Sequence, residues 1–161
     1  MIAMKTLVIY YSASGHTKRI ATEIAQNLDA DTFEILPAKA YTNEDLDWTD
    51  TESRVSHEYE DSKLRDVELK TTEVPNWSEY DRVIIGYPIW YGIAAWPTNA
   101  FIKTLDFVNK TVIPFCCSHS SELGNSDLKL KDDAKGGEWR DGHRFFQDAP
   151  SSAIKTWTES L

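Results

Sequence analysis

Runs of apolar residues alternate along the chain with segments in which apolar residues recur every three or four positions. Residues 5–11 are almost continuously apolar, as expected for a strand that is covered on both faces of a parallel sheet. In residues 17–28 the apolar positions form one helical stripe, made of Ile20, Ala21, Ile24, Ala25 and Leu28. The pattern predicts a buried strand followed by an amphipathic helix.

The same alternation continues through the rest of the chain. Three more apolar runs predict strands at residues 32–36, 82–87 and 111–117, and residues 138–140 are expected to form a short last strand. Three more segments predict helices: 98–105 after Pro97, 126–133 capped by Ser126, and one that starts at Asp148 and turns Ile154, Trp157 and Leu161 inward. This order predicts an α/β fold, with an open, doubly wound parallel sheet and helices on both faces. At 161 residues the chain is expected to form a single domain.

Two local features add to this prediction. Pro114 lies inside the strand predicted at 111–117, although proline cannot donate a hydrogen bond to a neighbouring strand. It is tolerated where its nitrogen faces past the end of a short neighbour, and the segment 138–140 is the candidate. Thr49 and Glu52 have the spacing of a capping box, which predicts a short helix in an acidic part of the chain.

A hydroxyl-rich turn follows the first predicted strand and leads into the first helix. It consists of Ser12, Ala13, Ser14, Gly15, His16 and Thr17. Backbone N–H groups and the positive end of the helix dipole point at one spot there, and the hydroxyls add uncharged donors. Gly15 permits a turn that is closed to other residues. The turn therefore predicts a phosphate site; the alternative is an ordinary N-capped turn, where Ser and Thr are also favoured.

Two large aromatic residues follow the strand predicted at 82–87. The segment between Gly86 and Gly92 contains Pro88, Ile89, Trp90 and Tyr91. Aromatic side chains at the end of a strand can form a stacking platform for a planar ligand. The alternative is that Trp90 and Tyr91 pack under the next helix beside Trp96.

A small, polar loop follows the strand predicted at 111–117. It begins with Ser118, His119 and Ser120 and ends near Gly124 and Asn125. Its amides and hydroxyls are suited to a heteroaromatic edge rich in carbonyls and ring nitrogens. The alternative is a solvated linker before a short helix. Because ligands of such sheets bind at the carboxyl ends of the strands, all three loops are expected to meet there.

A phosphate site, an aromatic platform and a polar edge together fit flavin mononucleotide (FMN). A dinucleotide fingerprint needs three glycines, and the first turn has only Gly15. A Walker A loop needs Lys after that glycine, where this chain has His16. A phosphatase loop would need an arginine closing the turn after Cys117, and a receiver domain would need carboxylates where Tyr11 and Ser12 stand.

Residues 10–17, 86–92, 113–116 and 141–145 resemble the flavodoxin-like family, in particular its bacterial single-domain members. The resemblance runs over nearly the whole chain. It implies a five-stranded sheet in the order 2-1-3-4-5 and a tightly bound, non-covalent FMN. Its phosphate would lie at Ser12 to Thr17, its ring at Pro88 to Gly92, and its far edge along Ser118 to Asn125.

The chain also departs from the family pattern. Trp90 and Tyr91 stand where many flavodoxins have a Gly-Asp pair, and the third loop lacks the aromatic residue that often covers the ring. Trp48 is a candidate to approach the cofactor instead. The resemblance implies a low-potential electron carrier with no catalytic side chain. The alternatives are an NAD(P)H-dependent FMN reductase for quinones or similar acceptors, and a scaffold without a cofactor.

The charge of the chain limits its partners. The formal net charge is −9, which disfavours nucleic acid and anionic membranes. Residues 44–68, here called the acidic segment, contain ten acidic residues against Arg54, Lys63 and Arg65. This segment is either a solvated surface or a docking face for a redox partner protein. We expect a cytoplasmic protein, because the adjacent Cys116 and Cys117 are poor candidates for a structural disulfide. The expected oligomeric state is a monomer or a weak dimer.

Overall fold

An open sheet forms the centre of the molecule. A computed structural model describes residues 4–161. The strands are β1 (Thr6–Tyr10), β2 (Asp31–Glu34), β3 (Arg82–Trp90), β4 (Ile93–Ala94), β5 (Thr111–Ser118), β6 (Glu138–Trp139) and β7 (His143–Phe146). Their order is β2-β1-β3-β5-β6, and β7 also pairs with β5. All these pairs are parallel except β3 with β4. The predicted parallel sheet and its order are confirmed, with the fifth position divided between β6 and β7.

The division of the fifth position explains how the sheet accommodates Pro114. β6 pairs with Thr111 and Val112, whereas β7 pairs with the stretch of β5 from Phe115 onward. Pro114 lies between these two paired stretches, so neither β6 nor β7 is aligned with it on this side of β5. The expectation that a short neighbour ends beside Pro114 is therefore confirmed.

Five helices flank the sheet: α1 (His16–Leu28), α2 (Arg54–Glu60), α3 (Trp96–Ile102), α4 (Ser126–Asp133) and α5 (Ser151–Glu159). Helices α1 and α5 cover one face, where Ile20 and Ile154 belong to the same core as Val8. Helices α3 and α4 cover the other face, where Phe101 and Leu130 belong to the same core as Leu7 and Ile9. Side chains alternate along β1 between the two cores because successive strand residues point to opposite faces. No helix among residues 4–161 has the length and apolar character needed to span a membrane.

The bounds of two predicted helices differ from those in the structure. Helix α5 begins at Ser151 and not at Asp148, because the residue before Pro150 is biased towards extended backbone. Of the residues predicted to face inward, Ile154 is buried and Trp157 is partly buried, whereas Leu161 lies beyond the helix and is exposed. Helix α3 covers Trp96–Ile102, so it begins two residues earlier and ends three residues earlier than predicted, and Pro97 lies in its first turn as expected.

The helix in the acidic segment exists, but the predicted capping box does not form it. The backbone and hydroxyl of Thr49 both donate to Asp47, which commits Thr49 to a local turn. Helix α2 begins four residues later, where Ser53 Oγ accepts a hydrogen bond from the Ser56 N–H. A hydroxyl side chain does cap the helix, but it belongs to Ser53.

Candidate cofactor site

A cavity of about 480 Å³ opens at the carboxyl ends of β1, β3 and β5. The chain leaves β1 towards β2 on one side and returns to β3 on the other, so the cavity lies at the topological switch point. All three predicted loops line it, together with part of the acidic segment; the lining residues include Ala13, Ser14, Pro88, Ile89, Trp90, Tyr91, Gly92, Ser118, His119 and Ser120. The volume is within the usual range for a small-molecule site.

The first loop leaves the N-terminus of α1 without a side-chain cap. Gly15 occupies the cap position with φ 95°, in the left-handed region, and a Cβ at this position would point into open space. The first turn of this 13-residue helix contains no acidic residue, although the chain is strongly acidic. The Gly15 N–H donates to Ser12 Oγ at 3.1 Å, which fixes the turn. An uncapped helix start of this kind suits an anion.

The hydroxyl-bearing residues of this loop have different environments. Ser14 is exposed and lines the cavity. Thr17 is only 2% exposed and lies against Cys117. Burial raises the pKa of the Cys117 thiol, and the hydrogen bond with Thr17 acts in the opposite direction. His16 lines a neighbouring depression with Arg19 and not the cavity itself. Ser14 is therefore the side chain of this turn that is best placed to touch a ligand.

The second predicted loop is a β-hairpin. Strand β3 continues to Trp90, which pairs with Ile93 of β4. Tyr91 and Gly92 form the two-residue connection, with φ values of 51° and 77°. Positive φ at both positions is the geometry of a tight hairpin turn. The prediction that the strand ends at Tyr87 is wrong, because Tyr91 gives no Asn-Gly or Asp-Gly signal for such a turn.

The aromatic residues of this hairpin line the cavity and also pack beside Trp96. Trp90 lines the cavity and also packs edge-on against Tyr11, Tyr41 and Trp96, with centroid distances of 5.6, 5.1 and 4.9 Å. Tyr91 lines the cavity as well, and it hydrogen-bonds to the acidic segment through Ser56 Oγ at 3.1 Å. The platform is therefore part of a packed aromatic cluster.

A buried carboxylate connects the acidic segment to this cluster. Glu58 of α2 is 8% exposed and accepts hydrogen bonds from Tyr41 Oη, from Trp96 Nε1 at 2.9 Å and from Arg54 Nε at 3.0 Å. The Arg54 guanidinium also lies 3.7 Å from the centre of the Tyr41 ring. Burial and the bond to Glu58 raise the pKa of Tyr41 far above its usual value. The acidic segment therefore forms one wall of the site. This role was not predicted, because a highly charged segment is normally exposed to solvent.

The third loop contributes only its first half to the cavity. Ser118, His119, Ser120 and Ser121 line it, whereas Gly124 and Asn125 lie outside it at the start of α4. Opposite this loop the acidic segment adds Leu46, Trp48 and Val55. Trp48 is 71% exposed, so its indole stands at the mouth of the cavity. The expectation that Trp48 lies near this site agrees with its position there.

The fold and the cavity define a doubly wound α/β protein with a cofactor-type site at the switch point of its sheet. The family model for flavodoxin matches residues 5–161, and the chain belongs to this family. No curated protein matches the chain.

Three solved structures illustrate the relationship. A candidate flavoprotein from Bacteroides uniformis ATCC 8492 is 41% identical with a TM-score of 0.88, over 98% of this chain and 99% of that chain. A candidate flavoprotein from Bacteroides eggerthii DSM 20697 is 37% identical with a TM-score of 0.87, over 99% and 98% of the two chains. A flavoprotein from Lactobacillus acidophilus NCFM in complex with FMN is 22% identical with a TM-score of 0.61, over 97% and 99%, and supports the fold alone.

Proposed function

We propose that this protein is a flavodoxin that binds FMN non-covalently and transfers electrons at low potential between partner proteins. Membership of the flavodoxin family supports the cofactor, and a similar fold in Lactobacillus acidophilus is in complex with FMN. The observation that carries the proposal is the meeting of three loops, after β1, β3 and β5, around one cavity.

The residues present fit the parts of FMN. The uncapped start of α1, with Ser14 beside it, would hold the phosphate. Trp90 and Tyr91 would contact the ring, and Ser118 to Ser120 would provide polar groups for its edge. When bound, FMN supplies the redox chemistry, and the chain orients the ring and limits its access to water.

The charge of the protein supports a low potential. Reduction adds negative charge to a bound flavin, and a chain with a net charge of −9 disfavours this. The same charge supports a basic partner, for which the acidic segment provides the docking face. Cys116 and Cys117 are both free and buried, in agreement with a protein that works in the cytoplasm.

Absorption spectroscopy of the purified protein tests the proposal. We expect apo-protein to bind added FMN, and the bound flavin to accept electrons from a flavodoxin reductase but to stay oxidised in NADPH alone. Rapid bleaching by NADPH without a reductase would favour the FMN reductase. Failure to bind FMN would leave only the scaffold without a cofactor.

A further inference from the structure

Arg144 lies beneath the third loop of the site. It belongs to β7 and pairs in register with Cys116 of β5, two residues before the loop begins at Ser118. Its Nε donates to Ser118 Oγ at 3.0 Å, and Ser118 Oγ donates in turn to the carbonyl of Ser121. Ser118 and Ser121 both line the cavity. One side chain from the neighbouring strand therefore fixes both ends of the loop that faces the ligand.

The guanidinium of Arg144 is held by its neighbours, but one of its hydrogen-bond donors has no acceptor. It stacks on the ring of Phe146 at 3.8 Å. Its Nη2 is buried and has no hydrogen-bond partner within residues 4–161, where the only other such buried side-chain atom is the Thr98 hydroxyl. Buried donors nearly always have an acceptor, and a charged donor without one is especially unfavourable. This donor is therefore available to an acceptor that residues 4–161 do not supply.

The charge of Arg144 also affects the two thiols of β5, Cys116 and Cys117. Burial raises the pKa of the Cys117 thiol, and Arg144 is one of the groups that oppose this rise. Burial raises the pKa of Cys116 to about 12, again with Arg144 acting in the opposite direction. Cys117 itself lines the cavity. The positive charge of Arg144 therefore acts on the wall of the cavity in which a ligand would lie.

We propose that Arg144 is a positioning residue of the FMN site, which holds the third loop through Ser118 and places behind this loop a positive charge that would favour the reduced form of the flavin. This inference rests on the proposed FMN binding. It assigns two separable roles to one side chain: the planar guanidinium organises the loop, and the charge raises the midpoint potential above the value that the acidic chain would otherwise impose.

Three variants separate these roles, with a fourth as the control. Arg144→Lys keeps the positive charge but loses the planar guanidinium, and Ser118→Ala keeps the charge but removes the hydroxyl that links Arg144 to the loop. Arg144→Gln removes both the charge and the guanidinium. Arg140→Gln removes the same charge from an exposed arginine outside the cavity. FMN titration of each apo-protein gives its affinity, and a spectroscopic redox titration of each loaded protein gives its midpoint potential. Far-UV circular dichroism checks that each variant is folded.

We expect FMN to bind about tenfold more weakly to Arg144→Lys, Ser118→Ala and Arg144→Gln, the usual weight of a hydrogen bond to a charged group. Only Arg144→Gln is expected to show a lower midpoint potential than Arg140→Gln. Equal affinity and potential in Arg144→Gln and Arg140→Gln would overturn this inference while leaving the FMN proposal intact. A wild-type protein that does not bind FMN would overturn both.

Discussion

The phenol rings of Tyr59 and Tyr91 lie parallel, with 4.1 Å between their centroids and 5° between their planes. Tyr59 comes from α2 in the acidic segment, whereas Tyr91 lies in the hairpin turn that lines the cavity. Arg65 lies over the Tyr59 ring at 5.0 Å. The stack therefore joins α2 of the acidic segment to an aromatic residue that lines the cavity.

A double-mutant cycle on Tyr59→Leu and Tyr91→Leu measures this stack. We expect a coupling free energy of about 1 kcal/mol in urea unfolding, because aromatic pairs contribute roughly this much beyond the area they bury. Tyr59→Phe keeps the ring and serves as the control, with stability close to the wild type. Strictly additive effects of the two leucine substitutions would show that the rings do not interact.

Replacing Glu58 with Gln is expected to lower the free energy of unfolding by about 2–3 kcal/mol, because the amide cannot accept from all three donors and leaves Arg54 without its buried partner. Glu60→Gln makes the same change on the exposed side of α2 and is expected to stay within about 0.5 kcal/mol of the wild type. Urea unfolding followed by tryptophan fluorescence measures both. Equal effects at the two positions would refute the structural role of Glu58.

Gly86 is expected to tolerate no side chain. A Cβ at this position would lie 2.1 Å from Cζ of Phe115, whose ring is fully buried. We expect Gly86→Ala to destabilise the protein by about 1–3 kcal/mol, because a packed core cannot admit the extra atom without strain. Adding Phe115→Leu to this variant is expected to recover part of the loss in thermal melts. If the second substitution only adds its own cost, the contact with Phe115 is not the cause.

His143 makes stability depend on pH. Burial lowers the pKa of this imidazole below its usual value near 6.5, and the ring stacks on Trp157 at 5.3 Å. The unfolded chain therefore binds the proton more readily, so this contribution is present above pH 6.5 and is lost as the pH falls through the lower folded value. We expect His143→Gln to reduce the difference in Tm between pH 7.5 and pH 5. His57→Gln, on α2, is the comparison, and an equal reduction in both variants would contradict the assignment.

Ser14→Ala tests the phosphate end of the site. Ser14 lines the cavity beside the uncapped start of α1, so its loss is expected to raise the Kd for FMN about tenfold. Ser152→Ala changes an exposed serine of α5 and is expected to leave the Kd unchanged. The titration is repeated with riboflavin, which lacks the phosphate and is expected to bind both variants equally. A loss for riboflavin as large as that for FMN would exclude a phosphate contact.

The sequence predicted those parts of the fold that depend on periodic burial. The alternation along β1 and the stripe on α1 come from two cores on opposite faces of one sheet, and such patterns are visible in a single chain. The three loops were predicted to meet because parallel strands present their carboxyl ends at one edge. The hairpin at Tyr91 was missed because its turn depends on backbone angles that Tyr rarely adopts.

The wall formed by the acidic segment could not be predicted from periodicity. Glu58 is buried only because Tyr41, Arg54 and Trp96 converge on it, and these partners are as many as 38 residues away along the chain. An isolated glutamate in an acidic stretch is normally exposed. The role of Arg144 could not be predicted from the sequence either, because its hydrogen bond to Ser118 depends on the pairing of β7 with β5.

The division of the last sheet position into β6 and β7 has a consequence for self-association. A long, continuous outer strand would offer a ladder of unpaired backbone groups to a second molecule. Here the outer position carries two residues in β6 and four in β7, interrupted opposite Pro114. A second molecule approaching this margin therefore meets short, offset stretches of backbone, which discourage growth of the sheet from one molecule into the next.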